Sequence, residues 1–597
     1  MTDPSALLDR LLSAAAATLP SYAADGRLYF LSDPGGSLQV WELPADGGPA
    51  RARTAHRDAV SFVAGSPVDG SAVFGRDQAG DERVQFHALP PEGPARPLTA
   101  DPKVMHGWGA FSPDGRQIAF AANSRDPAHA DPCVMDLSTG TTRRLREVQG
   151  PHEVAAWAAD GSLAVVSAPR AFDSDVMLVS TSSGEVRAVT PHEGHWRHAN
   201  PRPRPGGGAW FLTDRDRDYL GAAAMEPDGT IRLLHAPEAD VEKLEPSPDG
   251  STLAVTVNLR GYSRLRLLDA ASGAVLAEPV HPPGVIQKLT WHPDGTAVAF
   301  DLLRPTRPGT IWRYDRGAHE AHLLFAAGAA PAAMREWEEV AFPTHDGRQI
   351  PAFLIRPAGQ PPTGGWPVLI WVHGGPEMQA LPNWRPDLQA VAAMGIAVLV
   401  PNVRGSTGYG RAYAALDDRE LRMDAVHDVA AAQAWLASHP GMNGARIAVM
   451  GQSYGGWMTL MAVTEYPGLW AAAVEYYGIA RWKTFFERTG PWRIAHRAAE
   501  YGDPVQDAEL LERLSPLHKV DRIRCPMLVA QGLTDPRVPP HESEQIVAAL
   551  RSRNVPVEYL SFPDEGHGFL KRDNRRTAYR AVTAFLARHL LEPHPSL

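Results

Sequence analysis

Cysteine is almost missing from this chain: 597 residues contain only two, Cys133 and Cys525. So few, so far apart, exclude a disulfide framework and point to a reducing compartment, the cytoplasm. Basic charge is not in excess either. With 58 Lys and Arg against 68 Asp and Glu, the formal net charge is −10. That balance offers no footprint for nucleic acid or for an anionic membrane. No uninterrupted apolar run approaches the ~20 residues that span a bilayer. The first twenty residues, MTDPSALLDRLLSAAAATLP, lack the basic stretch and unbroken apolar core of a signal peptide. Leu7, Leu8, Leu11 and Leu12 recur there at helical spacing, which predicts a short amphipathic helix packed on the body.

What the chain has is a repeat. A tag of the form S-P-D-G followed by an apolar strand recurs through the first 300 residues, with glycines at 26, 70, 115, 161, 206, 250 and 295. Successive glycines are 44 to 46 residues apart. A period of ~45 with several short strands and a turn at a fixed place is the pattern of a β-propeller blade. Gly supplies a positive φ in the hairpin turn, and Asp bonds back to its own backbone. Seven tags predict seven blades; a β-sandwich with regular turns would not keep so even an interval. His192, Glu193, His195 and His198 form a polar cluster inside this half. Their spacing does not match a two-histidine helical metal site, and they fall where the other blades have their connecting loops, so a loop is expected and no metal.

After Glu336, apolar runs of strand length alternate with helical patterns, the mark of a parallel α/β sheet. Trp366–Val372 and Arg446–Met450 read as strands buried on both faces. The second ends at Gly451-Gln452-Ser453-Tyr454-Gly455, a G-x-S-x-G between strand and helix. There a nucleophile elbow lifts the serine hydroxyl above the sheet. A serine hydroxyl needs a base, and the base needs an orienting acid. In chain order these are Asp535, on a turn after a strand, and His567, in the glycine-flanked loop after the last strand. Asp564 and Glu565 stand beside His567 as competing acids. An oxyanion needs two donors. The N–H of Tyr454 and the N–H of Gly375, in His373-Gly374-Gly375-Pro376, are the expected pair, with Gly374 as the substitute.

HGGPE (His373–Glu377), NVRGSTGYG (Asn402–Gly410), GQSYGGWM around Ser453, GLTDPRVP around Asp535 and EGHGF around His567 together resemble the prolyl oligopeptidase family of serine peptidases, in particular its acylaminoacyl-peptidase branch. The resemblance extends over essentially the whole chain. It implies a seven-bladed β-propeller at 21–335 and an α/β-hydrolase domain, doubly wound with a mostly parallel sheet, at 336–597. The helix of 1–20 would pack on the hydrolase domain. It also implies Ser453, Asp535 and His567 as triad, no cofactor and no metal. The segment IARWKTFFERTGPWR corresponds to the family's substrate-pocket region. Trp482, Phe485, Phe486 and Trp492 would there make an apolar pocket, with the domain core as the equal alternative for an aromatic cluster, and Arg481, Lys483, Arg488 and Arg493 would meet a carboxylate. Arg404 would fix a loop. The paired glutamates by which dipeptidyl members hold a free amine have no counterpart in the propeller sequence.

The expected function is hydrolysis of short peptides through an acyl-enzyme, the propeller limiting substrate size. The other readings are a small-acyl esterase, since the same triad serves both, and a propeller-based interaction protein with an idle hydrolase domain. Short peptides are the expected partners, with neither nucleic acid nor membrane among them. Members of the branch often self-associate, so a homo-oligomer is allowed by the resemblance.

Overall fold

The computed structural model describes residues 4–170 and 172–592. Among them, seven four-stranded antiparallel sheets follow one another, at 17–52, 60–97, 106–144, 152–188, 198–235, 241–277 and 289–325. Each tag forms the hairpin between a blade's first and second strands. In the third blade, for example, Ser112 to Gly115 joins His106–Phe111 to Gln117–Asp126. The tag aspartate accepts the N–H two residues on at Asp25, Asp69, Asp114, Asp160, Asp249 and Asp294, over 2.8–3.2 Å. Six of the seven tag glycines are left-handed, with φ of 67–86°. Gly70 departs from the expected turn chemistry. A Cβ there would stand 2.2 Å from Asp25 Oδ2, so the neighbouring blade's turn, not a positive φ, demands glycine.

The ring closes without a shared strand. The Asp301 carboxylate of the last blade accepts the Thr18 hydroxyl at 2.5 Å and the Leu19 N–H at 3.0 Å. The first blade therefore opens at Ala17, inside the stretch 1–20 that the sequence reading gave to the terminal helix. That helix, α1 (Pro4–Ser13), buries Leu8, Leu11 and Leu12 against Ala390, Trp384 and Tyr579, all of the C-terminal domain.

The C-terminal sheet has eight strands: β1 (Glu338–Pro343), β2 (Gln349–Ile355), β3 (Trp366–Val372), β4 (Ala397–Pro401), β5 (Met442–Gln452), β6 (Ala472–Tyr476), β7 (Met527–Gly532) and β8 (Val557–Phe562). Their order is β1-β2-β4-β3-β5-β6-β7-β8. The first two joins are antiparallel and the rest parallel. Helices cover both faces. Between β3 and β4 lies α2 (Pro386–Ala393), between β4 and β5 α3 (Arg422–Ser438), and directly after β5 α4 (Tyr454–Glu465). Then come α5 (Trp482–Arg488), α6 (Pro491–Tyr501) and, last, α7 (Arg572–Leu586). With both faces covered, β3 is buried along all seven residues, which is why it reads as a continuous apolar run. Both loops that follow β7 and β8 emerge at the carboxyl edge of the sheet, beside the turn from β5 to α4.

Candidate active site

The β5–α4 turn holds Ser453 at φ 57°, ψ −121°, a backbone state that costs a non-glycine residue about 1–3 kcal/mol. The flanking glycines make it attainable. A Cβ on Gly451 would meet the Gly455 carbonyl at 2.0 Å, and one on Gly455 would meet the Val372 carbonyl at 2.3 Å. Packing of α4 onto β5 and β3 thus leaves only the serine side chain projecting.

His567 lies in the loop between β8 and α7. Its Nε2 is 2.9 Å from Ser453 Oγ and its Nδ1 is 2.7 Å from Asp535 Oδ2. Asp535 is buried, and its other oxygen accepts the N–H groups of Arg537 and Val538 at 2.8 and 3.0 Å. A carboxylate so held can orient an imidazole and stabilise its cation. The two competing acids are committed elsewhere. Glu565 accepts the N–H groups of Leu570 and Lys571, shaping the loop into α7. Asp564 pairs with Lys571 and, across the domain boundary, with Arg57, and these cations with the Asn574 amide hold its carboxyl below the usual range.

The chain after β3 passes against Ser453. A Cβ on Gly374 would lie 3.2 Å from Ser453 Cβ and 2.9 Å from the Gln452 carbonyl. Gly375 is left-handed at φ 138°, and its carbonyl accepts from Tyr501 Oη at 3.3 Å and Arg497 Nη1 at 3.5 Å. Behind the turn lies a charge network that sequence reading missed. Tyr454 donates its hydroxyl to Asp417 at 2.8 Å, and Arg422 binds both Asp417 and Glu500. Burial, opposed by Arg422, pushes the Asp417 carboxyl up to about 6. These groups come from three separate stretches, and no local spacing marks them.

The expected pocket residues are placed differently. Trp482, Phe485 and Phe486 are buried in the domain core beside Trp457 and Tyr501. Their apolar surface packs α5 against α4, since a side chain that can be covered on all sides gains more than one lining a wet cleft. Trp492 is half-buried on α6. Arg481 is bound by Glu512 at 2.7 Å and Arg488 is exposed, so neither stands ready for a carboxylate. Arg493 has its Nε buried without a partner among the described residues, and burial beside Arg497 and Arg537 lowers its pKa to about 10. Arg404 is fixed in its loop by Asp428 at 2.9 Å. His192 and His195 both face Asp173, at 3.2 and 3.1 Å, in the loop between the fourth and fifth blades.

One propeller loop reaches the site's surroundings. The loop from Asp77 to Glu82 abuts both catalytic-edge loops, with Thr534 donating to the Ala79 carbonyl and Arg537 paired with Glu82. Elsewhere between the domains a cavity of about 1210 Å³ is lined by Arg260, Tyr262, Phe353, Tyr409 and Tyr413.

A strained serine on the elbow of a mostly parallel sheet, beneath a propeller, defines the class: a propeller-capped serine hydrolase of the α/β-hydrolase fold. Comparison with known proteins narrows it. Residues 382–592 match the prolyl oligopeptidase family model, and the chain is a serine peptidase similar to that family. It is 29% identical to dipeptidyl aminopeptidase BIII of Pseudoxanthomonas mexicana, over 95% of this chain and 86% of the relative. It is 26% identical to the acylamino-acid-releasing enzyme of Mus musculus, over 40% of this chain but only 34% of that protein. Its fold matches a puromycin-hydrolysing peptidase of Mycobacterium tuberculosis with a TM-score of 0.86 at 23% identity, covering 99% of this chain and 97% of the other.

Proposed function

We propose that this serine peptidase cleaves short peptides through an acyl-enzyme on Ser453, within the cytoplasm. His567 takes the Ser453 proton as the hydroxyl attacks the scissile carbonyl, and returns it to the leaving amine. Asp535 keeps the imidazole in the tautomer that faces the serine. Tyr454 N–H and Gly375 N–H receive the oxyanion, with Gly374 as the substitute. Water then repeats the sequence on the acyl-enzyme. The observation that carries this reading is the unbroken relay from Ser453 through His567 to Asp535, at 2.9 and 2.7 Å.

An esterase would use the same relay, but an amide leaves poorly and needs the proton that His567 returns. The deciding experiment compares turnover of a peptide amide with that of its ester, beside labelling by a fluorophosphonate. We expect amide cleavage and labelling, both lost in Ser453→Ala by at least ~10³-fold in rate. Ester turnover without amide turnover would favour the esterase reading. A chain that neither labels nor hydrolyses would make the propeller the working part and the hydrolase domain idle.

A further inference from the structure

We propose that His345, Asp424 and His427 form a binding site for a divalent transition metal of the Zn²⁺ class, on the surface of the hydrolase domain. His345 sits in the turn between β1 and β2. Asp424 and His427 sit one helical turn apart on α3, so all three side chains meet where the hairpin crosses the helix. One metal-ligating atom from each lies within 4.8 Å of the others.

The separations carry the argument. His345 Nε2 is 3.6 Å and His427 Nδ1 is 3.4 Å from the same oxygen, Asp424 Oδ1. Both exceed the about 2.9 Å of an N–H···O bond. They match the edge of a tetrahedron around Zn²⁺, about 3.3–3.6 Å when metal–ligand bonds are about 2.0–2.2 Å. Two imidazoles and one carboxylate suit this metal, and a site with one exposed and two half-buried ligands leaves the fourth vertex to water.

The groups behind the ligands are arranged as a metal site requires. Thr344 donates its hydroxyl to Asp428 Oδ1 at 2.7 Å, which leaves a Thr344 lone pair facing His345 Nδ1 at 3.3 Å. Nδ1 therefore carries the proton, and the lone pair of His345 lies on Nε2, the atom turned to Asp424. The other Asp424 oxygen is 3.6 Å from Arg404, which orients the carboxylate without occupying Oδ1. Arg404 is itself shared with Asp346 and Asp428, and Arg348 pairs with Asp346. The immediate surroundings thus hold three carboxylates against two guanidinium groups, a balance that favours a cation. The histidine cluster of the propeller differs, since His192 and His195 both approach Asp173 at hydrogen-bonding distance.

A metal here would clamp the first hairpin of the domain to α3. None of its ligands touches Ser453, so the site is structural. The test strips the full-length protein with EDTA and titrates Zn²⁺ by calorimetry, with Co²⁺ absorption reporting the geometry. The wild type is expected to bind one Zn²⁺ per site, give a tetrahedral Co²⁺ band and unfold at a higher temperature with Zn²⁺. His345→Ala, at an exposed position, and His427→Ala, at a half-buried one on the surface of α3, should fold normally, weaken Zn²⁺ binding by about tenfold or more and abolish the band. Retention of wild-type affinity in the double variant, or loss of the bound Zn²⁺ in His192→Ala instead, would overturn the site. So would the absence of any binding by the wild type.

Discussion

Gly80 of the propeller touches Gly566, the residue before His567, backbone to backbone. A Cβ on Gly80 would stand 2.5 Å from the Gly566 nitrogen, and one on Gly566 1.9 Å from the Gly80 carbonyl. The second blade therefore bears directly on the loop that presents the imidazole. With Thr534 bound to Ala79 and Arg537 to Glu82, the aspartate loop is braced by the same propeller segment.

Gly80→Ala should accordingly lower turnover by about tenfold or more, because the new methyl must push the histidine loop away from Ser453, and misplacement by about 1 Å can cost 10²-fold. The left-handed φ of 77° at Gly80 adds strain within the propeller loop itself. The measurement is kcat for a short peptide and for a small ester, beside the unfolding temperature. An equal fall in both substrates with the fold retained is expected. Wild-type turnover would show that the histidine loop does not depend on this contact.

The two acids near His567 should separate cleanly. Asp535→Asn preserves shape but offers the imidazole a donor in place of an acceptor, so kcat should drop by about 10⁴-fold. Asp564→Asn removes pairings with Lys571 and Arg57 that are partly exposed, and such pairs contribute about 0–1 kcal/mol. Its turnover should stay within a few-fold of wild type. A reversal of this order would transfer the acid's role from Asp535 to Asp564.

Glu475, buried at the end of β6 and accepting the Gly478 N–H, has its carboxyl raised to about 8, chiefly by burial, against an ordinary 4.5. A raised carboxyl favours the fold while protonated. That contribution is complete below about pH 4.5 and is lost as pH rises toward 8. Glu475→Gln stays neutral throughout. Across that window the wild type should lose about 1.4 kcal/mol per pH unit relative to the variant. Urea unfolding at several pH values measures this, and parallel pH dependences for the two proteins would refute it.

A propeller set against the catalytic loops should make efficiency depend on substrate size. We expect kcat/KM to fall by orders of magnitude from a short peptide to a stably folded protein carrying the same scissile sequence, because only an extended chain can pass a channel or a gap between domains. Equal efficiency on both would remove the size limit while leaving the Ser453 relay intact.

The sequence by itself determined what rests on neighbours along the chain. The seven hairpins follow from Asp and Gly at adjacent positions, where side-chain-to-backbone bonds span two residues. The elbow follows from glycines that sit two places from Ser453 on either side, and β3 from its unbroken apolar run. Only the tertiary structure decided what depends on residues brought together from afar. Gly70 is glycine because Asp25 of another blade lies over it. Trp482, Phe485 and Phe486 are core and not pocket because α4 and α6 close around them. Arg481 is spent on Glu512, Tyr454 is anchored through Asp417, and Gly80 meets Gly566 almost five hundred residues later. Burial and pairing of this kind depend on how elements stack, and an aromatic or charged residue has the same local signature whether its partner is solvent, substrate or a distant helix.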